Sequence, residues 1–60
     1  MKIKVFRKND ADPGPDVIQR GSEFTPMSRR DIKILLESAE RIEAAPDSNG
    51  GTVEIWESDT

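Results

Sequence analysis

Apolar and polar residues alternate at the start of the chain, with Ile3 and Val5 on one side of an extended segment and Lys2, Lys4 and Phe6 on the other. That alternation predicts a strand over residues 2–8. The period then breaks. Residues 9–16 (Asn-Asp-Ala-Asp-Pro-Gly-Pro-Asp) gather turn formers, and two of them are prolines that cannot donate to a ladder, so a loop is predicted. Val17-Ile18-Gln19-Arg20 opens on β-branched residues and stops at Gly21-Ser22, which makes it a candidate second strand.

Residues 24–31 hold two competing helix starts. One is Thr25 as N-cap with Pro26 in the first turn, where its missing N–H costs nothing; the other is Ser28 followed three residues later by Asp31. Ile32, Leu35, Leu36, Ala39 and Ile42 then recur at three- and four-residue steps, the spacing of one helical stripe. Lys33, Glu37 and Arg41 follow each other at four-residue steps with opposite charges, as on a solvated helix face. A helix is therefore predicted up to Ala45, because Pro46 pushes the residue before it out of the α region. Residues 47–51 read as a turn. Residues 52–57 read as a last strand, with Val53 and Ile55 on one face and Glu54 and Trp56 on the other.

The elements predict a single domain over residues 1–60 in the order ββαβ. The expected fold is α+β, a small antiparallel sheet of two or three strands backed by one amphipathic helix. If residues 17–20 pair back on the first strand, the last strand returns antiparallel to that strand on its other side. The expected core is then Ile3, Val5, Phe24, Ile32, Leu35, Leu36, Ala39, Ile42, Val53 and Ile55. If residues 9–24 were one irregular loop, a right-handed βαβ unit would remain, with Lys4 beside Glu54 and Phe6 beside Trp56. The hairpin version is preferred, since so long a structureless loop is rare in a small domain.

Composition narrows the chemistry. Of 60 residues none is Cys or His, so disulfides, thiolate and imidazole metal sites, Cys nucleophiles and histidine-based triads are excluded. A chain this short buries only about 60% of its unfolded surface, so self-association or folding on a partner is an expected source of stability. No stretch reaches the ~20 apolar residues that span a bilayer, and the opening residues lack the ~7–15-residue apolar run of a signal peptide. A soluble cytoplasmic protein with no membrane contact is expected. Net charge is −3, unevenly spread. Residues 1–8 carry Lys2, Lys4, Arg7 and Lys8 with no acid, whereas residues 31–60 hold eight acids against Lys33 and Arg41. Paired terminal strands would set these opposite charges side by side.

Candidate sites are few. Asp10, Asp12 and Asp16 with Gly14 invite a calcium reading, but a helix–loop–helix calcium loop starting at Asp10 needs Gly and Glu where Pro15 and Gly21 stand. Gly50-Gly51 precedes a strand and not a helix, so it makes no phosphate cradle. Serines fall at caps and turns with no base to activate them. No metal, cofactor or catalytic residue is assigned, no motif marks a family, and the chain is not expected to be an enzyme.

What is left is surface. Phe6 and Trp56 both oppose the predicted core positions of their strands, where one helix cannot cover them, with Lys4 and Arg20 as a polar rim. Ile34 lies about 200° around the predicted helix from Ile32, off the main stripe. These five residues are the expected partner-binding set of a non-catalytic protein-interaction module. Such a module would be a small accessory, regulatory or inhibitor-type protein, of the kind phages and mobile elements encode, that docks on a protein or on its own copy as a homodimer. On this placement, truncating Trp56 or Phe6 weakens association and spares the fold. An alternative is single-stranded nucleic-acid binding, by stacking bases on the two aromatics with Lys2, Lys4, Lys8 and Arg20 along the phosphates; the acidic balance makes nucleic acid the less favoured partner. A third reading takes Glu37, Glu40, Glu43, Asp47, Glu54, Glu57 and Asp59 as an acidic nucleic-acid mimic.

Overall fold

In the computed structural model, which describes residues 1–9, 11, 14–48 and 50–59, the opening alternation becomes the central strand of an antiparallel sheet. The described residues form β1 (Lys2–Arg7), β2 (Asp16–Arg20), β3 (Glu23–Met27), α1 (Arg29–Leu35), β4 (Glu40–Pro46) and β5 (Thr52–Glu57). Their order across the sheet is β3-β2-β1-β5-β4. β2 pairs back on β1 and β5 flanks β1 on the other side, both antiparallel, as the hairpin version requires.

The α+β expectation is corrected on two counts. The sheet has five strands, not two or three, and the helix is seven residues long, so the fold is mostly β. Residues 23–27 form β3 and do not enter the helix. Ser28 is the N-cap, with an extended backbone and its hydroxyl accepting from the Asp31 N–H at 3.2 Å. This cap won over Thr25 because residues 23–27 find a partner in β2, and Pro26 is tolerated there because β3 is an edge strand. The β2–β3 turn is the two-residue loop Gly21-Ser22, with Gly21 at φ 62°, the left-handed backbone that a tight hairpin takes at its first position.

The helix also stops early. Leu36 caps it, and Ala39 N–H donates back to the Leu36 carbonyl at 3.0 Å as the chain turns away. Residues 40–46 then pair along β5 as the outer arm of a hairpin. The turn between them is tied by Asp47 N–H to Gly51 O and Gly50 N–H to Asp47 O, each 3.0 Å. Pairing outweighs helical spacing here because a longer helix would leave β5 with an unpaired edge, and because β4 is exposed along its whole length and gains little from its side chains. Ile42 sits at a bulge in this strand and is 56% exposed.

One face of the sheet is covered. Ile3, Val5 and Ile18 from β1 and β2 meet Ile32 and Leu36 of α1 in the buried core, with Met27, Leu35, Ala39 and Trp56 packed partly against it. Cross-strand neighbours point the same way, so the pairs Val5–Ile18 and Ile3–Trp56 put all four residues under the helix. Phe24, Val53 and Ile55 stand on the opposite face, and with Ile42 they leave the expected core; Ile18 joins it. Among the described residues, no helix is long and apolar enough to cross a membrane.

Ile18→Ala and Ile32→Ala each remove a fully buried side chain and are expected to cost about 2–4 kcal/mol in urea titrations. Ile42→Ala should cost less than about 0.5 kcal/mol; a loss there matching Ile32→Ala would contradict the placement of residue 42 on an edge strand. Gly51→Ala should unfold or distort the β4–β5 hairpin, because a Cβ at Gly51 collides with the Arg7 carbonyl oxygen, which backbone alone occupies.

Candidate functional site

Strand parity builds two different surfaces. On the face away from α1, the register aligns Pro26, Val17, Phe6, Val53 and Ala45, one from each of β3, β2, β1, β5 and β4. This row crosses the whole sheet without a charge. The next row reads Phe24, Gln19, Lys4, Ile55 and Glu43, and beyond it Lys2 stands opposite Glu57, which stands opposite Glu40. The open face is thus apolar across the Phe6 row, with Lys8 and Asp47 beyond it at the 47–51 end and lysines and glutamates toward the other end.

Two aromatic rings anchor it. Phe6 and Phe24 lie 6.2 Å apart between centroids with planes tilted by 34°, within the range of favourable ring pairs. The Lys4 ammonium sits 5.5 Å from the Phe6 centroid. Phe24 is 59% exposed. Beside the rings is a hollow of ≈ 250 Å³, floored by Phe6, Val17 and Phe24 and rimmed by Arg7, Lys8, Asn9, Asp47 and Gly51.

The covered face carries the ionic chemistry. Asp16 is 2% exposed and accepts the Lys8 backbone N–H at Oδ1, 2.9 Å. Its Oδ2 lies 3.6 Å from both Arg7 Nη1 and Arg29 Nε, beyond hydrogen-bond reach. Arg7 Nε also stands 3.4 Å from Glu54 Oε1, and that oxygen accepts the Trp56 indole N–H at 2.8 Å. This chain of charges closes the end of the core, since a buried carboxylate is tolerated only beside cations and donors. Asp16, one of the three carboxylates of the acidic loop, is therefore committed to the chain's own cations; Asp10 and Asp12 lie outside the described residues. A cleft beside it, between α1 and β5, exposes Lys33 and Trp56, but its arginines Arg7 and Arg29 are held by Asp16.

The five expected binding residues are split by this arrangement. Phe6 and Lys4 share the open face. Trp56 does not: it lies across from Ile3 on the covered side, half-buried against the core. Arg20 is on the covered side as well, opposite Glu23 at the hairpin end. Ile34 is 60% exposed on α1, on the opposite side of the sheet from Phe6. In place of Trp56 the open face presents Phe24, Val17, Val53 and Ile55. The turn at Gly21-Ser22 was the available sign that Phe24 begins another strand and not a helix.

No family model, no curated protein and no solved structure matches the chain.

Truncating Trp56 to Ala should destabilise the fold by about 2–4 kcal/mol, whereas Phe24→Ser should change stability by less than about 1 kcal/mol. Thermal or urea unfolding of the two variants checks both, and the reverse ranking would put the tryptophan on the open face. Asp16→Ala should cost about 1–3 kcal/mol, since the Lys8 N–H and two guanidinium groups lose their shared carboxylate.

Proposed function

We propose that the chain is a non-catalytic docking module that binds a protein surface through the open face of its sheet. The observation that supports this reading is the uncharged row Pro26, Val17, Phe6, Val53 and Ala45, which among the described residues lies on the face opposite α1. Burying apolar surface is worth about 25 cal/mol per Å², and exposed Phe24 beside Phe6 has the makeup of an interface anchor. Lys2 and Lys4 on β1, with Glu40, Glu43 and Glu57 on β4 and β5, form a two-signed rim that would set the orientation of a partner.

Single-stranded nucleic acid is the weaker reading. Phe6 and Phe24 offer a stacking pair beside Lys4, but three glutamates share the face, and the phosphate term that dominates such binding is repelled by them. The mimic reading loses Glu54, which is turned inward to Arg7 and Trp56.

Selection of binders from a displayed peptide or small-domain library against the purified chain tests the docking reading. Binders are expected to converge on the open face, weakening at least tenfold with Phe6→Ser or Phe24→Ser and holding their affinity with Ile34→Ser. Binders that depend on Ile34 and ignore both phenylalanines would overturn it.

A further inference from the structure

The open face has one more property: its charges complement a copy of itself. Lys2 and Lys4 occupy β1, and Glu57, Glu43 and Glu40 occupy β5 and β4, so the positive charges lie on one side of the line between β1 and β5 and the negative charges on the other. A two-fold axis running along that line, parallel to the strands, exchanges β1 with β5 and β2 with β4 while keeping every row in register. Phe6 then meets Val53 of the other copy, Val17 meets Ala45, Lys4 meets Ile55 and Lys2 meets Glu57, with Glu43 over Gln19 and one strand from Lys4. Phe6 and Val17 thus fall on apolar residues and Lys2 on Glu57, while Lys4 lies over Ile55 with Glu43 of the other copy one strand away; each contact is made twice, as an isologous interface requires. An axis through β1 itself would instead set Lys4 on Lys4. An axis across the strands would stack Phe6 on Phe6 but turn Lys4 toward Lys8 and leave the glutamates unmatched.

The edges support the same conclusion. β3 carries Pro26 and Glu23, and β4 carries Pro46, Glu40, Arg41, Glu43 and a bulge. Prolines, charges and bulges on outer strands block edge-to-edge pairing. Among the described residues, the open face is the surface of the sheet left for a second sheet.

We infer that the partner of the open face is a second copy of this chain, packed sheet on sheet about a two-fold axis between β1 and β5, with Lys2 of each copy against Glu57 of the other and Lys4 one strand from Glu43. The inference rests on the docking reading and names a second copy as partner of its β2–β1–β5–β4 part, which leaves Phe24 of β3 outside the contact between copies. Sheets packed face to face lie about 10 Å apart, close enough for Phe6 and Val53 to interdigitate. Four overlapping strands at ~4.8 Å spacing give a contact only about 15 Å wide, below the standard size of specific interfaces, so a weak dimer with a dissociation constant of tens to hundreds of micromolar is expected.

Sedimentation equilibrium over about 5–500 µM tests this with three samples: the unaltered chain, a Lys2→Glu/Lys4→Glu chain, and a Glu43→Lys/Glu57→Lys chain. The unaltered chain should reach a dimer mass, each altered chain alone should stay monomeric or weaken at least tenfold, and their equimolar mixture should recover the dimer. Circular dichroism checks that both altered chains fold. If either does not, Phe24→Ser and Gln19→Glu in the unaltered background serve instead: Gln19→Glu should weaken the dimer by placing an acid over Glu43, and Phe24→Ser should leave it dimeric because β3 falls outside the overlap. An unaltered chain that is monomeric at 500 µM overturns the inference, as does a mixture that fails to recover the dimer. A monomer whose selected binders still require Phe6 and Phe24 would mean that the face docks on a different protein, so the two failures are distinguishable.

Discussion

A single helix of two turns can cover only one face of a five-stranded sheet, and the rest of the structure follows from that limit. Ile32 and Leu36 reach down onto Ile3, Val5 and Ile18, and those five residues make up the buried core. Seven helical residues cannot seal its end, so Asp16, Arg7, Arg29 and Glu54 do so with charge, and the Trp56 indole extends the same network through Glu54. Buried carboxylates are usually costly. Here the cost is offset by two guanidinium groups and a backbone donor gathered from β1 and α1, which fixes how the helix sits on the sheet.

The uncovered face is the other consequence. Its middle is apolar because β1, β2 and β5 are built for two-sided contact, with β-branched or aromatic residues at both parities: Val5 and Phe6, Val17 and Ile18, Val53 and Ile55 opposite Trp56. A strand meant to face water on one side would carry polar residues at every second position. The edge strands instead carry Glu23 and Pro26 on β3 and Pro46, three charged residues and a bulge on β4, which guard the edges against unwanted pairing. The sheet is therefore protected where strands could add to it and open where another surface could lie flat on it.

Legibility in the sequence followed burial. β1, the β1–β2 hairpin and the antiparallel return of β5 could be read because Ile3, Val5 and Ile18 alternate against a core. β4 could not, since all of its side chains are exposed and Glu40 to Pro46 carries no alternation; its existence depends on backbone pairing with β5, which side-chain pattern does not encode. Ala39 and Ile42 continued the helical spacing of Ile32 and Leu36 by coincidence of step, and the longer helix was read from them. β3 was hidden by Pro26, a residue that signals a helix start as readily as an edge strand. Of the binding residues, Phe6 and Lys4 were legible because β1 has one clear polarity. Trp56 was not: β5 is apolar on both faces, so its orientation is set by the register Ile3–Trp56 and not by its own sequence.

The uneven spread of charge along the chain has a structural sense in this arrangement. A basic first strand placed at the centre of the sheet has the acidic β5 on one side and β2 on the other, and β2 offers Val17 and Gln19 to the open face with no acid. Lys2 meets Glu57 within the molecule, and Glu57 is shared with the Met1 amine at 3.5 Å. Lys4 instead faces Gln19 and Ile55, with its ammonium over the Phe6 ring. Glu43 is in the complementary position: its cross-strand neighbour is Ile55, and no strand lies beyond β4. Cation and anion thus stand in one row of the sheet, separated by the width of β5. Folding alone does not bring them together, whereas a second sheet that exchanged β1 and β5 would place Glu43 over Gln19, beside Lys4. The same segregation that pairs the terminal strands inside the molecule leaves Lys4 and Glu43 on its open face two strand spacings apart, each with an uncharged cross-strand neighbour.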